Sequence, residues 1–263
     1  MSKSMIEIPG ATLRIDTRGE SPRAVFVHGL AGDLHTWDAL WREMEWPVGA
    51  LRYDLRDHGA SVSRSRPFNH ATDLLHLLDT VGIDRCDLIG VSMGGGIALN
   101  FALEYPQRVA RLALISPAMI GWEWSDAWRV LWRPIATQAR AGALDQARQS
   151  WWQHPLFDTI RRTPEAEALR ESILRFSCTP WMRDHHEPLL PDIERVHTLQ
   201  MPTLLMSAGR DLEDFRLIAD LVAASASDVV ERIDFPDCGH LIHLEDPQGC
   251  AARISEMLAL TGS

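Results

Sequence analysis

The sequence predicts an α/β fold on a mainly parallel, doubly wound sheet, with a helical segment inserted in its second half. Three observations carry that expectation. Short apolar runs alternate with helix-like patterns through most of the chain. The apolar run Cys86-Asp-Leu-Ile-Gly-Val91 passes through the turn Gly90-Val-Ser92-Met-Gly94 straight into a helix-like stretch. From about Met119 to His197 no strand pattern occurs.

In chain order, Ile6 to Ile15 reads as a hairpin broken at Pro9-Gly10, and the turn Arg18-Gly-Glu-Ser-Pro22 leads into the strand Ala24-Val-Phe-Val27. Helical spacing over Trp37 to Met44 precedes the strand Ala50-Leu-Arg-Tyr-Asp54. A second helix, Asn69 to Val81, precedes Cys86 to Val91, and a third, Ile97 to Tyr105, stops at Pro106. Leu112 to Ile115, Thr203 to Met206 and Val230 to Phe235 are further strands, with a helix over Leu212 to Ala224 between the last two. Strand, helix and strand in succession make parallel neighbours through right-handed crossovers.

The segment 119–197 places Pro134, Pro155, Pro164, Pro180, Pro188 and Pro191 among helix-like stretches and holds seven of the ten tryptophans. It predicts a helical cap (119–197) over a core formed by 1–118 and 198–263. Large aromatics fill cores as readily as they line pockets. Within the cap, Trp122, Trp124, Trp128 and Trp152 are the candidate substrate-binding residues.

With 263 residues, 46% apolar and 24% charged, the chain can bury one large α/β core, and no apolar run approaches membrane-spanning length. The first residues show no apolar leader pattern, so a cytoplasmic location is expected. Cys86, Cys178, Cys238 and Cys250 lie far apart without Cys-x-x-Cys spacing, the pattern of buried reduced thiols. A net charge of -10 without a basic stripe argues against nucleic acid or anionic membrane and for a small-molecule substrate.

Gly90 and Gly94 flank Ser92 where a sharp strand-to-helix turn needs close backbone approach, and this turn would lift the Ser92 hydroxyl out of the sheet. A serine hydroxyl is a poor nucleophile without a base, and the base needs an acid to hold its tautomer. His240 is the candidate base, because Phe235-Pro-Asp-Cys-Gly-His240 follows the last strand at its carboxyl end, where such folds gather their chemistry. His243 is a nearby rival. Asp211, after Thr203 to Met206, is the candidate acid, with Asp214 as a possible replacement. An oxyanion would need two N–H donors. Met93, next after Ser92, supplies one, and Leu30 in the loop His28-Gly-Leu-Ala-Gly32 supplies the other, with His28 itself structural.

His28-Gly29, Asp54-Leu-Arg-Asp-His-Gly59, Gly90-Val-Ser-Met-Gly94, Gly209-Arg-Asp211 and Gly239-His240 occur in the order typical of the α/β-hydrolases. The chain resembles that family over nearly its whole length. The resemblance implies an α/β-hydrolase fold, a triad of Ser92, Asp211 and His240, an oxyanion hole at Leu30 and Met93, and a cap after the sixth strand. It departs at Asp57, where the family usually has glycine, and at Ala208, where the usual glycine of the acid turn is missing.

Within the family the chain is similar to three branches. Ester or lactone hydrolysis requires only triad, oxyanion hole and pocket. The stretch Ser92 to Pro106 resembles hydrolases that cleave carbon-carbon bonds of meta-cleavage products, yet Leu241 stands where those usually carry Trp. Phe26 to Trp37, Trp152 to Phe157 and Gly209 to Phe215 resemble the menaquinone-pathway synthase that eliminates pyruvate, yet Gly96 stands where those carry a carboxylate-holding Arg. The expected function is therefore hydrolysis of a carboxylic ester or lactone of a small, largely apolar substrate, without metal or organic cofactor. A binding protein reusing the fold is the non-enzymatic alternative. Asp184-His-His-Glu187 is not read as a metal site, because adjacent histidines project differently from one local element.

Overall fold

Buried on both faces, the central strands divide their side chains between two helix layers. The computed structural model describes residues 2–188 and 190–260; Met1, Leu189 and residues 261–263, which the division into core and cap includes, lie outside the described residues. The strands are β1 (Ser2–Ile8), β2 (Ala11–Arg18), β3 (Pro22–Val27), β4 (Gly49–Tyr53), β5 (Val62–Ser63), β6 (Cys86–Val91), β7 (Val109–Ile115), β8 (Thr203–Ala208) and β9 (Val230–Phe235). They form one sheet in the order β1-β2-β4-β3-β6-β7-β8-β9, with β5 beside β2. From β4 to β9 every pairing is parallel, and β1, β2 and β5 are antiparallel additions.

The period-two alternation of strand side chains sorts residues onto the two faces. Ala24, Phe26, Ile89 and Ala113 face the layer of α1 (Asp38–Glu43) and α10 (Pro247–Ala259), packing with Leu40, Trp41 and Ile254. Val25, Val27, Leu88, Leu112 and Leu114 face α2 (His70–Val81), α3 (Met93–Glu104) and α8 (Glu213–Ser225), meeting Leu74, Leu78, Phe101 and Ile218. Each such buried Val, Leu, Ile or Phe side chain stabilises the fold by about 1.5–3 kcal/mol. Helix ends follow local chemistry: Asn69 caps α2 by accepting from the Thr72 N–H at 3.0 Å, and Gly82 ends it at φ +75°. At the sheet edge, β9 is only half-buried, and its Arg232 pairs with Asp220 and Asp234, keeping charge on an otherwise open edge.

Between β7 and β8 no strand occurs among the described residues. That segment contains α4 (Asp126–Arg140), α5 (Leu144–Trp152), α6 (Ala166–Arg175) and α7 (Thr179–Met182), with two 3-10 turns between α5 and α6 and two more after α7. The last helices are α9 (Ile242–Glu245) and α10.

Several boundaries differ from the sequence reading. α3 begins at Met93 rather than Ile97, because Gly94, Gly95 and Gly96, poor helix formers, are nevertheless helical. The sequence pattern missed α10 and the two-residue β5. Among the described residues no helix is long and apolar enough to cross a membrane. All four cysteines are buried and unpaired.

Candidate active site

Because β3, β6, β8 and β9 run in the same direction, the loops after Val27, Val91, Ala208 and Phe235 emerge at one end of the sheet. Ser92 sits there at φ +56°, ψ -123°, conformational space that a residue with a Cβ enters at a cost of about 1–3 kcal/mol. The surroundings enforce it. The Ser92 N–H donates to the Ile115 carbonyl at 2.9 Å, and the Ser92 carbonyl accepts from Gly96 at 3.0 Å and Ala118 at 2.9 Å. A Cβ on Gly90 would lie 2.3 Å from the Gly94 carbonyl oxygen, and one on Gly94 would lie 2.2 Å from that of Val27. Only glycine permits this packing of β6, α3 and the β3 loop.

His240 and Asp211 meet across two loops. The His240 Nδ1–H donates to Asp211 Oδ2 at 2.8 Å, with side chains 1% and 2% exposed. The other Asp211 oxygen accepts from the Leu212 N–H at 2.7 Å. The ring of Phe215 lies 4.2 Å from that of His240 and restricts its swing. Nδ1 is thus committed, while the buried Nε2 has no hydrogen-bond partner among the described residues. Ser92 and His240 line the same cavity. Glu245 holds the loop on either side of His240, accepting from the Gly239 N–H at 2.6 Å and the Leu241 N–H at 3.3 Å. Burial raises its pKa against the pull of these two bonds. The sequence reading missed Glu245 and Phe215; the only signal was an acid five residues after a catalytic-looking histidine.

The rivals occupy other positions. Both oxygens of Asp214 are engaged, Oδ1 by Trp122 Nε1 and the Ser125 N–H at 3.0 Å each and Oδ2 by Ser125 Oγ at 2.6 Å. Although burial works the other way, bonds from Ser125 and Trp122 bring its pKa below the usual value. His243 is buried against Trp37 at 4.7 Å, and burial together with nearby His240 pushes its pKa down to about 3. His28 donates from Nδ1 to the Gly29 carbonyl at 2.8 Å and accepts the Leu55 N–H on Nε2 at 3.0 Å, so it fastens the Leu30 loop to the β4 loop. Burial lowers its pKa, in keeping with a neutral ring.

The two departures from the family pattern have local explanations. Ala208 ends β8, and the close approach falls one residue later: a Cβ on Gly209 would lie 2.5 Å from the Pro236 carbonyl oxygen. Asp57 adopts φ +66°, where glycine is easiest, and its carboxylate is held by Arg66 in two bonds of 2.5 and 2.6 Å.

Two cavities share Leu30: Ser92 lines the smaller, and Met93, its neighbour in the chain, lines the larger. The larger, about 290 Å³, is lined by Leu30, Met93, Ile97, Trp124, Trp132 and Trp181, with His58, His70 and His186 on its polar side. The smaller, about 30 Å³, is lined by Ser92, Leu30, His240 and Trp151 and by Leu156, Leu169 and Leu244. Met93 opens α3, so its N–H belongs to the first-turn donors that lack a partner inside the helix. Of the four candidate substrate-binding tryptophans, Trp124 lines the larger of these two cavities, and Trp122, Trp128 and Trp152 line neither. Trp122 is tied to Asp214. Trp128 is sandwiched between Trp124 at 4.5 Å and Trp132 at 6.5 Å. Trp152 is buried on Phe157 at 5.9 Å. Trp132 and Trp181 line the larger cavity beside Trp124, and Trp151 lines the smaller.

A family model described as the alpha/beta hydrolase family matches residues 24–253. The chain is 27% identical over 267 residues to a putative 2-succinyl-6-hydroxy-2,4-cyclohexadiene-1-carboxylate synthase of Bacillus subtilis, covering 94% of this chain and 95% of that protein. It is 25% identical over 269 residues to a pimeloyl-[acyl-carrier protein] methyl ester esterase of Nitrosomonas europaea, covering 90% and 96%. With other relatives the match is partial: the chain spans 37% of the length of an uncharacterised Mycobacterium tuberculosis protein, at 28% identity over 126 residues. Among solved structures, the enol-lactonase of Burkholderia xenovorans superposes with a TM-score of 0.81 at 22% identity, covering 98% of this chain and 100% of that one. At that identity the likeness is one of fold.

Proposed function

The chain belongs to the alpha/beta hydrolase family, and from that premise we propose that it is a serine hydrolase cleaving carboxylic esters or lactones of small, largely apolar substrates through an acyl-enzyme on Ser92. One observation carries the reading: His240 is bound through Nδ1 to Asp211 at 2.8 Å, its buried Nε2 has no hydrogen-bond partner among the described residues, and the residue lines the same cavity as Ser92. A histidine so held accepts a proton at one nitrogen while the other fixes its tautomer.

In this reading Nε2 takes the Ser92 proton as Oγ attacks the substrate carbonyl, and the N–H groups of Leu30 and Met93 stabilise the oxyanion. The tetrahedral species expels the leaving oxygen, which receives the proton from Nε2. Water then gives its proton to Nε2, attacks the acyl carbon and frees Ser92 and the acid. No metal or organic cofactor takes part in these steps. The segment 119–197 is proposed as a cap that supplies the aromatic walls and keeps water from the site.

The site favours this chemistry over pyruvate elimination. A Cβ on Gly96 would lie 2.9 Å from the Ala118 carbonyl oxygen, so an arginine cannot occupy this position without displacing backbone. A relative named as a methyl ester esterase agrees with the reading. Hydrolysis of a panel of p-nitrophenyl esters and lactones tests it: Ser92-dependent turnover is expected. Binding of the panel members without turnover would move the protein to the class of binding modules.

A further inference from the structure

Ser92 and His240 line the smaller cavity, and Met93 lines the larger one; Leu30 is common to both. Their volumes, about 30 and 290 Å³, differ roughly tenfold. Leu30 borders both and Met93 follows Ser92 in the chain, so a substrate whose carbonyl carbon meets Ser92 can extend one substituent toward each.

The chemistry decides which substituent goes where. The leaving oxygen has to take its proton from His240 Nε2, which requires an approach within about 2.6–3.2 Å. Among the described residues His240 lines the smaller cavity and not the larger. The alcohol side of an ester therefore occupies the smaller cavity, and the acyl side extends past Met93 beneath Trp124 and Trp132. At one water-sized group per 10–15 Å³, a volume of about 30 Å³ admits roughly two such groups.

Resting on the proposed esterase reading, we infer that the enzyme prefers esters of one- or two-carbon alcohols with bulky acyl groups, and discriminates against the reverse arrangement. The step balances without a further reactant. The Oγ–C bond forms as the Ser92 proton passes to Nε2, the C–O bond to the small alcohol breaks as that proton passes to its oxygen, and one water completes the hydrolysis.

A pair of isomers isolates orientation from size. Methyl 3-phenylpropanoate and 2-phenylethyl acetate have the same atoms and similarly basic leaving groups, but place the bulky arm on opposite sides of the ester. The expected result is a kcat/KM at least tenfold higher for methyl 3-phenylpropanoate. Lengthening its alcohol from methyl to butyl should lower kcat/KM, and Leu156→Ala should recover part of the loss by opening the smaller cavity, with Leu169→Ala as the substitute if the first variant does not fold. Equal rates, or a preference for 2-phenylethyl acetate, would overturn the inference while leaving the esterase reading intact. Absence of Ser92-dependent turnover on both isomers would overturn both.

Discussion

Around Ser92 the backbone does the positioning, whereas in the helical segment between β7 and β8 the side chains do. Ser92 is held by three main-chain hydrogen bonds and by glycines that no other residue could replace. In the helical segment, stacked and edge-on rings such as Trp124, Trp128 and Trp132 set the shape, with few main-chain bonds reaching the sheet. The first arrangement tolerates almost no substitution and, in the proposed function, holds the reacting atoms. The second can be repacked, and in the proposed function it shapes what reaches them. Asp211 and Asp214 show the same division three residues apart. Asp211 turns inward to His240, while Asp214 reaches outward to cap α4 through Ser125 and hold Trp122.

The comparison breaks most sharply at these two acids. Asp211→Asn is expected to lower kcat by about 10⁴-fold through the wrong His240 tautomer, while Asp214→Asn should leave kcat within a few-fold and cost about 1–3 kcal/mol in urea denaturation from its broken bonds. Comparable kcat losses in both variants would erase the distinction. A smaller effect is expected at Glu245, a positioning residue. Glu245→Gln removes one of the two bonds flanking His240, because an amide NH2 cannot accept from a backbone N–H, and should reduce kcat about tenfold with KM little changed, since a misplacement near 1 Å already costs up to 10²-fold. An unchanged kcat would show that Phe215 and Asp211 suffice.

The mildest expectation concerns pH. Burial pushes the pKa of His58 and of His243 down to about 3, and that of His154 to about 4, with nearby histidines adding to each shift. Their folded values lie below the unfolded 6.5. Between pH 6.5 and about 4 the unfolded chain therefore binds more protons, and stability falls as pH falls. Each such histidine contributes up to about 1.4 kcal/mol per pH unit in that window. Urea midpoints measured from pH 7 to 5 should decline, and His243→Phe should flatten the decline; a flat wild-type profile would contradict it.

The same contrast explains what could be read from residues alone. Gly90, Gly94 and Gly209 are imposed by close backbone approach at strand ends, so spacing and residue type make the turns around Ser92 and before Asp211 legible. The tryptophans carry no such constraint. Trp122 and Trp124 are two residues apart, but a hydrogen bond to Asp214 turns one aside while the other faces the cavity. Glu245 was hidden because its task is done through loop amides that a sequence does not display. The start of α3 was obscured by the glycines that the elbow itself requires.

The most direct test of the account is covalent labelling with a fluorophosphonate, read by mass spectrometry of the peptides. A single phosphonyl adduct on Ser92, abolished in Ser92→Ala and slowed strongly in Asp211→Asn, is the predicted result. An unlabelled Ser92, or label on another residue at the same rate in the alanine variant, would contradict the assignment of Ser92 as nucleophile.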